Sequence, residues 1–327
     1  MRSVYNTALT KIELELQRSG KLMSDYDLFK HFTRHGKKCG LNQDAINQCV
    51  LKAHGAYARF LFQDASQKRA GKPRRKSNRN KVNSIDYSGA SKVKAPKDRH
   101  VRIPGIGVIR CSKEELPEGR IKTARVVKRA SGYYMQFVLD KNHEQVLKPT
   151  DQCVGMDPGF KDVLVLSDGT RYKNPDELRK SEARIAQAQR GNNKQLTARL
   201  QERVREQRKD RNHKISHAIV RDYATIVASD DSFKGMQALF GKSIANAGLS
   251  NLLNMIAYKS QSCGRTFQRV NASFTTQTCS NCWGREGPKG LSGLSVREWD
   301  CSSCGAVHDR DINVAACDFI LGPGYGP

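Results

Sequence analysis

Apolar residues recur at helical spacing from the start of the chain, with Tyr5, Leu9, Ile12 and Leu16 falling on one face. Two further helical stripes follow over 25–32 and 45–62, separated by the basic run Arg34-His35-Gly36-Lys37-Lys38. This predicts a small helical bundle over residues 1–65, with Tyr57, Phe60 and Phe62 in its core rather than stacked on bases. The period then changes. Residues 99–111, 121–128 and 133–140 alternate or are rich in β-formers, and Gly and Pro punctuate them. They predict a small antiparallel barrel within 66–148. From Cys153 the texture changes again. CVGMDPG predicts an apolar strand ending at Asp157, turned by Pro158-Gly159. Residues 163–166 form the next strand, closed by Asp168-Gly169, and 170–173 a third. Residues 176–223 are charged and helical, with Leu178, Ile185, Leu196, Leu200 and Val204 on one side and a break at Gly191-Asn192-Asn193, which predicts a helical hairpin. A strand over 225–228, a helix over 243–263, a strand over 266–271 and a closing helix over 309–321 complete the pattern.

Charge changes the picture next. The 327 residues hold 57 Lys and Arg against 32 Asp and Glu, a net charge of +25. Such a field attracts polyanions. Anionic lipid is a poor alternative, because the chain has no apolar anchor and no apolar run long enough to span a bilayer. A membrane partner is therefore not expected. The charge concentrates in residues 66–81, which hold eight cations and no acid: Lys68, Arg69, Lys72, Arg74, Arg75, Lys76, Arg79 and Lys81. Blocks of this kind stay solvated until a polyanion neutralises them, so these eight are the candidate nucleic-acid contacts.

Four of the ten cysteines form two hooks, Cys279-x-x-Cys282 and Cys301-x-x-Cys304, with eighteen residues between them. That spacing fits a zinc ribbon, in which each tight turn points two sulfurs at one tetrahedral ion. Zn²⁺ suits four thiolates because it is borderline-soft and has no preferred d-electron geometry. Two disulfides are the alternative, and no secretory signal opens the chain to favour them. The scattered Cys39, Cys49, Cys111, Cys153, Cys263 and Cys317 read as reduced thiols of an intracellular protein and are assigned no chemistry.

An acidic cluster, Asp309-Arg310-Asp311-Ile312-Asn313, follows the ribbon at once. These acids can serve as helix N-terminal residues, complementing the helix dipole, or as metal ligands, and both roles can hold together. The order strand, strand, strand, helix, strand, helix, strand, helix is that of an RNase H-like α/β fold. Acids at the ends of adjacent strands and on the last helix then share one edge of the sheet. Two Mg²⁺ ions held there, about 3.5–4 Å apart, would clamp both oxygens of a phosphodiester displacement. Asp157 and Asp311 are the right residue types in the right places.

The chain resembles the TnpB family, transposon-encoded RNA-guided nucleases related to type V CRISPR effectors and Fanzor. The residues that carry the resemblance are GMDPGFKDVLVLSDGTRYKNP (155–175), KSIANAGLSNLLNMIAYKSQSCGRTF (242–267), TTQTCSNC (275–282) and VREWDCSSCGAVHDRDINVAA (296–316). It is high over 150–321, weaker over 66–148 and slight over 1–65. It implies a helical recognition lobe (1–65), a wedge β-barrel with its basic loop (66–148), a RuvC nuclease domain (149–272) with its helical hairpin, a zinc ribbon (273–306) inserted before the last RuvC helix (307–322), and two Mg²⁺ ions. It also implies a guide RNA from the end of the transposable element and double-stranded target DNA beside a short adjacent motif. A monomer in the bacterial or archaeal cytoplasm, at the nucleoid, is the expected state. On this resemblance Asp157 matches the acid of the first RuvC motif and Asp311 that of the third. Asp309 is then a neighbour, and Cys279, Cys282, Cys301 and Cys304 match the ribbon ligands.

Two departures stand out. The chain enters a helix directly after Met1, where the family has a wedge strand. The second RuvC motif lacks its Glu: Ser229 holds the usual position, in Ala228-Ser229-Asp230-Asp231, and Ala272 holds the position used by a rearranged subgroup. Three readings follow. Ala272 is an engineered inactivating change; or the protein is a natural nuclease-dead, RNA-guided repressor; or Asp230 or Asp231 is the third ligand. The context Val-Asn-x-x-Phe-Thr-Thr-Gln fits the rearranged subgroup, so Ala272 is taken as the site of the missing acid. A transposase joining DNA ends is disfavoured, because the ribbon lies between the last strand and the last acidic helix, as in TnpB.

Overall fold

The computed structural model describes residues 1–33, 40–63, 67–78, 81–89, 93, 99–111, 119–140, 147–230, 241, 247–271, 273–290 and 292–322. The chain divides into two compact units, Met1–Asn142 and His143–Pro327.

The first unit opens with α1 (Arg2–Ser19), α2 (Asp25–Lys30) and α3 (Gln43–Leu61). Their starts and stops follow local chemistry. Gly20, in the left-handed region at φ 68°, ends α1 by returning its N–H to the Leu16 carbonyl. Ser24 and Asn42 cap α2 and α3 by accepting from Asp27 and Asp44 N–H. Leu9, Ile12, Leu28, Phe32, Ile46, Val50 and Tyr57 form the core, with Phe60 packed against it. Phe62 does not follow Tyr57 inside: it lies past the end of α3 and is 59% exposed.

Two antiparallel sheets follow. β1 (Ser84–Ser88), β4 (Arg120–Lys128) and β5 (Tyr133–Asp140) form one, with β4 in the middle. β2 (His100–Ile103) and β3 (Gly107–Arg110) form the other. The stretch 99–111 is thus a hairpin rather than one strand, because Gly105 (φ 78°) and Gly107 (φ 112°) supply backbone that folds it back. Tyr87, Val101, Ile103 and Ala124 share one core with partly buried Met135 and Phe137. Among the described residues the strands form these two sheets and not a closed barrel.

In the second unit, β6 (Cys153–Asp157), β7 (Asp162–Leu166), β8 (Arg171–Lys173), β9 (Thr225–Ser229) and β10 (Thr266–Val270) form one sheet in the order β10-β9-β6-β7-β8. The pairs β6–β7 and β7–β8 are antiparallel, while β6–β9 and β9–β10 are parallel. This is the RNase H-like arrangement that the element order implies. The hairpin of α4 (Glu177–Arg190) and α5 (Lys194–Asp222) turns at residues 191–193, where Asn193 caps α5 through Leu196 N–H. α6 (Leu249–Ser262) packs with α5 over a core of Ile219, Leu252, Leu253, Ile256, Val154 and Leu164.

The closing helix α7 (Arg310–Ile320) crosses β6 at Gly155. A Cβ at Gly155 would stand 1.8 Å from the Ala315 carbonyl oxygen. Only glycine lets helix and strand approach this closely. That contact brings the end of β6, with Asp157, and the start of α7, with Asp311, to the same edge.

Candidate functional site

Asp157 is the last residue of β6 and Asp311 lies in the first turn of α7. Both line one cavity of about 340 Å³, together with Phe160, Lys161, Asp162, Arg297 and Arg310. The start of α7 is built locally. Asp309 is its N-cap, and its carboxylate accepts from Asp311 N–H at 3.1 Å and Ile312 N–H at 3.0 Å. Asp309 therefore caps the helix that carries Asp311.

Asp311 is wrapped by guanidinium groups. Arg310 Nη2 stands 2.8 Å from Oδ1, Arg297 Nη1 stands 3.1 Å from Oδ2, and Arg171 Nη1 lies 3.8 Å away. Arg171, on β8, also pairs with Asp162 at 3.1 Å and with Asp309 at 2.7 Å. Burial alone would lower the Arg171 pKa, but Asp162 and Asp309 outweigh it and the net shift is upward. This arginine is a fixed cation that cross-links β7, β8 and the cap of α7. The sequence reading missed Arg171, Arg297 and Arg310. The Arg between two acids in Asp309-Arg310-Asp311 was the one local signal, since Arg171 comes from β8 and Arg297 from the segment before the last β-pair, both distant in sequence.

The donor set fits a hard divalent ion. Two carboxylates from different elements meet in one cavity, and each offers oxygen ligands of the kind Mg²⁺ takes. Both Asp311 oxygens already face arginine nitrogens, so a metal would share or replace those pairs.

The other predicted acids lie elsewhere. Asp230 follows β9, its side chain is 63% exposed, and it pairs with Arg269 at 3.3 Å. Neither it nor Ser229 is among the described residues lining the cavity. Ser229 is nevertheless next to the site in register. β6 and β9 run parallel with Met156 opposite Ala228, so Asp157 and Ser229 are the terminal residues of neighbouring strands. Ser229 is 1% exposed. Ala272, Asp231 and Arg79 fall outside the described residues.

The ribbon is two near-identical hooks. Trp283 N–H returns to the Cys279 carbonyl at 2.9 Å, and Gly305 N–H to the Cys301 carbonyl at 2.7 Å. Each closing residue is left-handed, Trp283 at φ 64° and Gly305 at φ 72°. The turns aim all four sulfurs inward, within 4.8 Å of one another. The pairs Cys279–Cys304 and Cys282–Cys301 are 3.7 and 3.6 Å apart. A tetrahedron with Zn–S bonds of about 2.3 Å has edges of about 3.8 Å, so the cluster fits zinc. The backbone N–H of Ala306 leads in pushing the Cys304 thiol down to about 6, which favours a thiolate there. Outside the four, His308 Nε2 meets the Cys279 sulfur at 2.9 Å, and its ring packs on Trp299. The ribbon β-pair, β11 (Glu298–Asp300) with β12 (Val307–Asp309), runs straight into α7.

Part of the basic block is held down. Lys72 and Arg75 both pair with Glu13 of α1, at 3.3 and 3.0 Å. Asn6 clamps the Lys76 backbone, donating to its carbonyl at 2.9 Å and accepting from its N–H at 2.7 Å. Lys76 also sits over the Tyr5 ring. Lys68, Arg69, Arg74 and Lys81 are exposed. A block expected to be wholly solvated is thus strapped to α1, because Asn6 and Glu13 present an acceptor and a charge at the right places.

Two family models match this chain: one described as a probable transposase, OrfB of IS605, over residues 136–238, and one described as the Cas12f1-like TNB domain, over 250–317. Together with the relatives below, these matches support a member of the TnpB family. Among curated proteins, the chain is 29% identical over 297 residues to a putative RNA-guided DNA endonuclease of Streptomyces pristinaespiralis, covering 83% of the chain and 69% of the relative. It is 24% identical over 299 residues to the putative RNA-guided DNA endonuclease InsQ of Escherichia coli K12, covering 83% and 72%. A solved Cas12f1–sgRNA–target DNA complex aligns with a TM-score of 0.43 and 16% identity, over 97% of this chain and 91% of that one. Among the described residues, no helix is long and apolar enough to cross a membrane.

Proposed function

We propose that this TnpB chain is the RNA-guided DNA endonuclease of a transposable element, cutting guide-complementary DNA beside a short adjacent motif. One observation carries the reading: Asp157 at the end of β6 and Asp311 at the start of α7 line one cavity, next to a four-thiolate ribbon. The curated relatives named as RNA-guided DNA endonucleases support it, as does the charge of +25.

In this reading Asp157 and Asp311 are the metal ligands, and Mg²⁺ bound by them would lower the pKa of the attacking water and polarise the phosphodiester. Arg171 holds the cap of α7 and so fixes the helix turn that bears Asp311. Cys279, Cys282, Cys301 and Cys304 hold structural zinc. Residues 1–65 serve as recognition lobe, 66–148 as wedge, 149–272 and 307–322 as nuclease, with the ribbon of 273–306 between. Lys68, Arg69, Arg74, Arg79 and Lys81 contact the guide RNA directly, while Lys72, Arg75 and Lys76 order the strap that presents them. The protein acts as a monomer at the nucleoid in the cytoplasm.

A second reading, an RNA-guided repressor that binds without cutting, has its own support. Ala272 stands where the rearranged subgroup has Glu, and Asp230 pairs away with Arg269. The test of both begins with RNA. The purified protein should carry one structured, non-coding RNA species, released with a log–log salt slope of about −0.7 to −0.9 per neutralised phosphate. Protein free of nucleic acid at low salt, and unable to bind RNA, would refute both readings. Cleavage of guide-matched DNA with Mg²⁺ then separates them.

A further inference from the structure

Asn313 lies two residues beyond Asp311 on α7 and is 2% exposed. Its side chain is matched at both ends by the first cysteine hook. Nδ2 donates to the Thr278 carbonyl at 2.7 Å, and Oδ1 accepts from Ser280 N–H at 2.9 Å. Thr278 and Ser280 flank Cys279, which is fully buried. The Cys317 thiol, one turn further along α7, donates to the same Thr278 carbonyl at 3.4 Å.

A primary amide offers one donor edge and one acceptor edge, so Asn can satisfy a carbonyl and an N–H at once. Aspartate at 313 would turn a second acceptor on the Thr278 carbonyl, and alanine would leave the Ser280 N–H without its acceptor and the Thr278 carbonyl with only the weak Cys317 thiol donor. Cys279 lies between those groups, so a metal bound at its sulfur would tie the hook to the ribbon cluster at the point that Asn313 holds. Asn313 therefore carries the position of the hook into the first turn of α7. There Asp309 and the Arg310–Asp311 pair leave Asp311 little independent movement.

We propose that Asn313 is a positioning residue through which the zinc-loaded hook sets the place of the Asp311 carboxylate, so that ribbon occupancy and metal binding at Asp157 and Asp311 are coupled. This rests on the proposed reading of those two acids as metal ligands.

The experiment uses the full zinc-loaded chain, with Mn²⁺ as the probe and electron paramagnetic resonance as the readout, so no cleavage is needed. Asn313→Ala should weaken Mn²⁺ binding about tenfold, in the range seen when an outer partner of a metal ligand is lost. Cys304→Ser, which opens the second hook, should weaken it to a similar degree. The two together should cost no more than either alone, because both cut one line of support. Glu286→Gln loosens the second hook at Ser302 and Ser303 without opening the sulfur cluster, and should leave Mn²⁺ binding unchanged. Should Asn313→Ala fail to fold, Asn313→Ser keeps a hydroxyl able to meet one of the two backbone groups and should show a smaller loss of the same kind. Parent-like Mn²⁺ binding in either Asn313 variant, or additive losses with Cys304→Ser, overturns the coupling while leaving the acid assignment intact. If Asp157→Asn with Asp311→Asn binds Mn²⁺ like the parent, the acid assignment fails, and the coupling with it.

Discussion

Arg297 Nη1 lies 3.1 Å from Asp311 Oδ2, so a residue of the ribbon holds an oxygen of the acid that opens the last helix. Arg297 is half exposed, so as a stabilising ion pair the contact is worth under about 1 kcal/mol. Its larger effect is electrostatic competition. A guanidinium beside a carboxylate repels any cation that the same carboxylate would take. Arg297→Gln should therefore tighten Mn²⁺ binding, on the order of tenfold at low salt, and the gain should shrink as salt rises. Weaker binding in this variant would mean that Arg297 orients Asp311 more than it competes for it.

Gly155 sets the distance between β6 and α7, and no side chain fits there. Gly155→Ala drives a methyl group onto the Ala315 carbonyl oxygen, 1.8 Å away by ideal geometry. The neighbour is backbone inside a helix, so relief requires moving α7. A loss of about 3 kcal/mol in urea unfolding is expected, at the upper end for overpacking. Because α7 carries Asp311, Mn²⁺ affinity should fall even where the variant is folded. A parent-like midpoint would show that the helix can slide at little cost.

Glu13 holds the basic strap through Lys72 and Arg75. Burial raises its pKa, but those two cations outweigh burial and the net shift is downward from 4.5. A carboxylate with a depressed folded pKa contributes stability above its unfolded value, and that contribution is lost as pH falls through the folded value. The clasp is therefore complete at neutral pH and opens in acid below about 4.5. Glu13→Gln should open it at pH 7. The readout is limited trypsin digestion: cleavage after Arg74, Arg75 and Lys76 should quicken several-fold, and added RNA should slow it again. Unchanged cleavage would assign the strap to the Asn6 clamp on Lys76.

The parts of this architecture legible in the sequence were those fixed by local pattern. The strand ending at Asp157 is apolar and closed by Pro-Gly, the break at Gly191-Asn192-Asn193 is a helix stop, and the cysteine hooks carry their own spacing. The arginine ring around Asp311 was not legible. Arg171 sits on β8 and Arg297 just before β11, and only the register of β7–β8 and the bond from Arg310 N–H to the Arg297 carbonyl bring them to the same acid. Asn313 was hidden for the same reason, since its partners are backbone atoms 35 and 33 residues away. Phe62 misled because aromatic residues usually bury, yet its place past the end of α3 turns it outward. The basic block was read by composition alone, and composition does not reveal an Asn and a Glu one helix turn or more apart that happen to fit it.

The last prediction concerns cutting. As it stands the chain should bind guide-matched DNA but cleave it very poorly, since two carboxylates hold a metal pair less well than three and leave the attacking water badly placed. Two positions can supply the third acid. Ala272 follows β10, and β10 pairs with β9 up to Val270 opposite Ser229. Ser229 neighbours Asp157 but is 1% exposed, so a glutamate there must enter a buried site and be desolvated. Ala272→Glu should therefore restore Mg²⁺-dependent cleavage strongly, and Ser229→Glu should restore less and cost stability. Asp230 is solvent-facing and paired with Arg269, so Asp230→Ala should change cleavage little. Asp231→Ala tests the remaining candidate in the same way. The measurement is a single assay with labelled, guide-matched DNA and Mg²⁺ across the parent and these four variants. Robust cleavage by the parent, abolished by Asp230→Ala or Asp231→Ala, would move the third acid to that strand end. Tight DNA binding with no cleavage in any variant would make the protein an RNA-guided repressor.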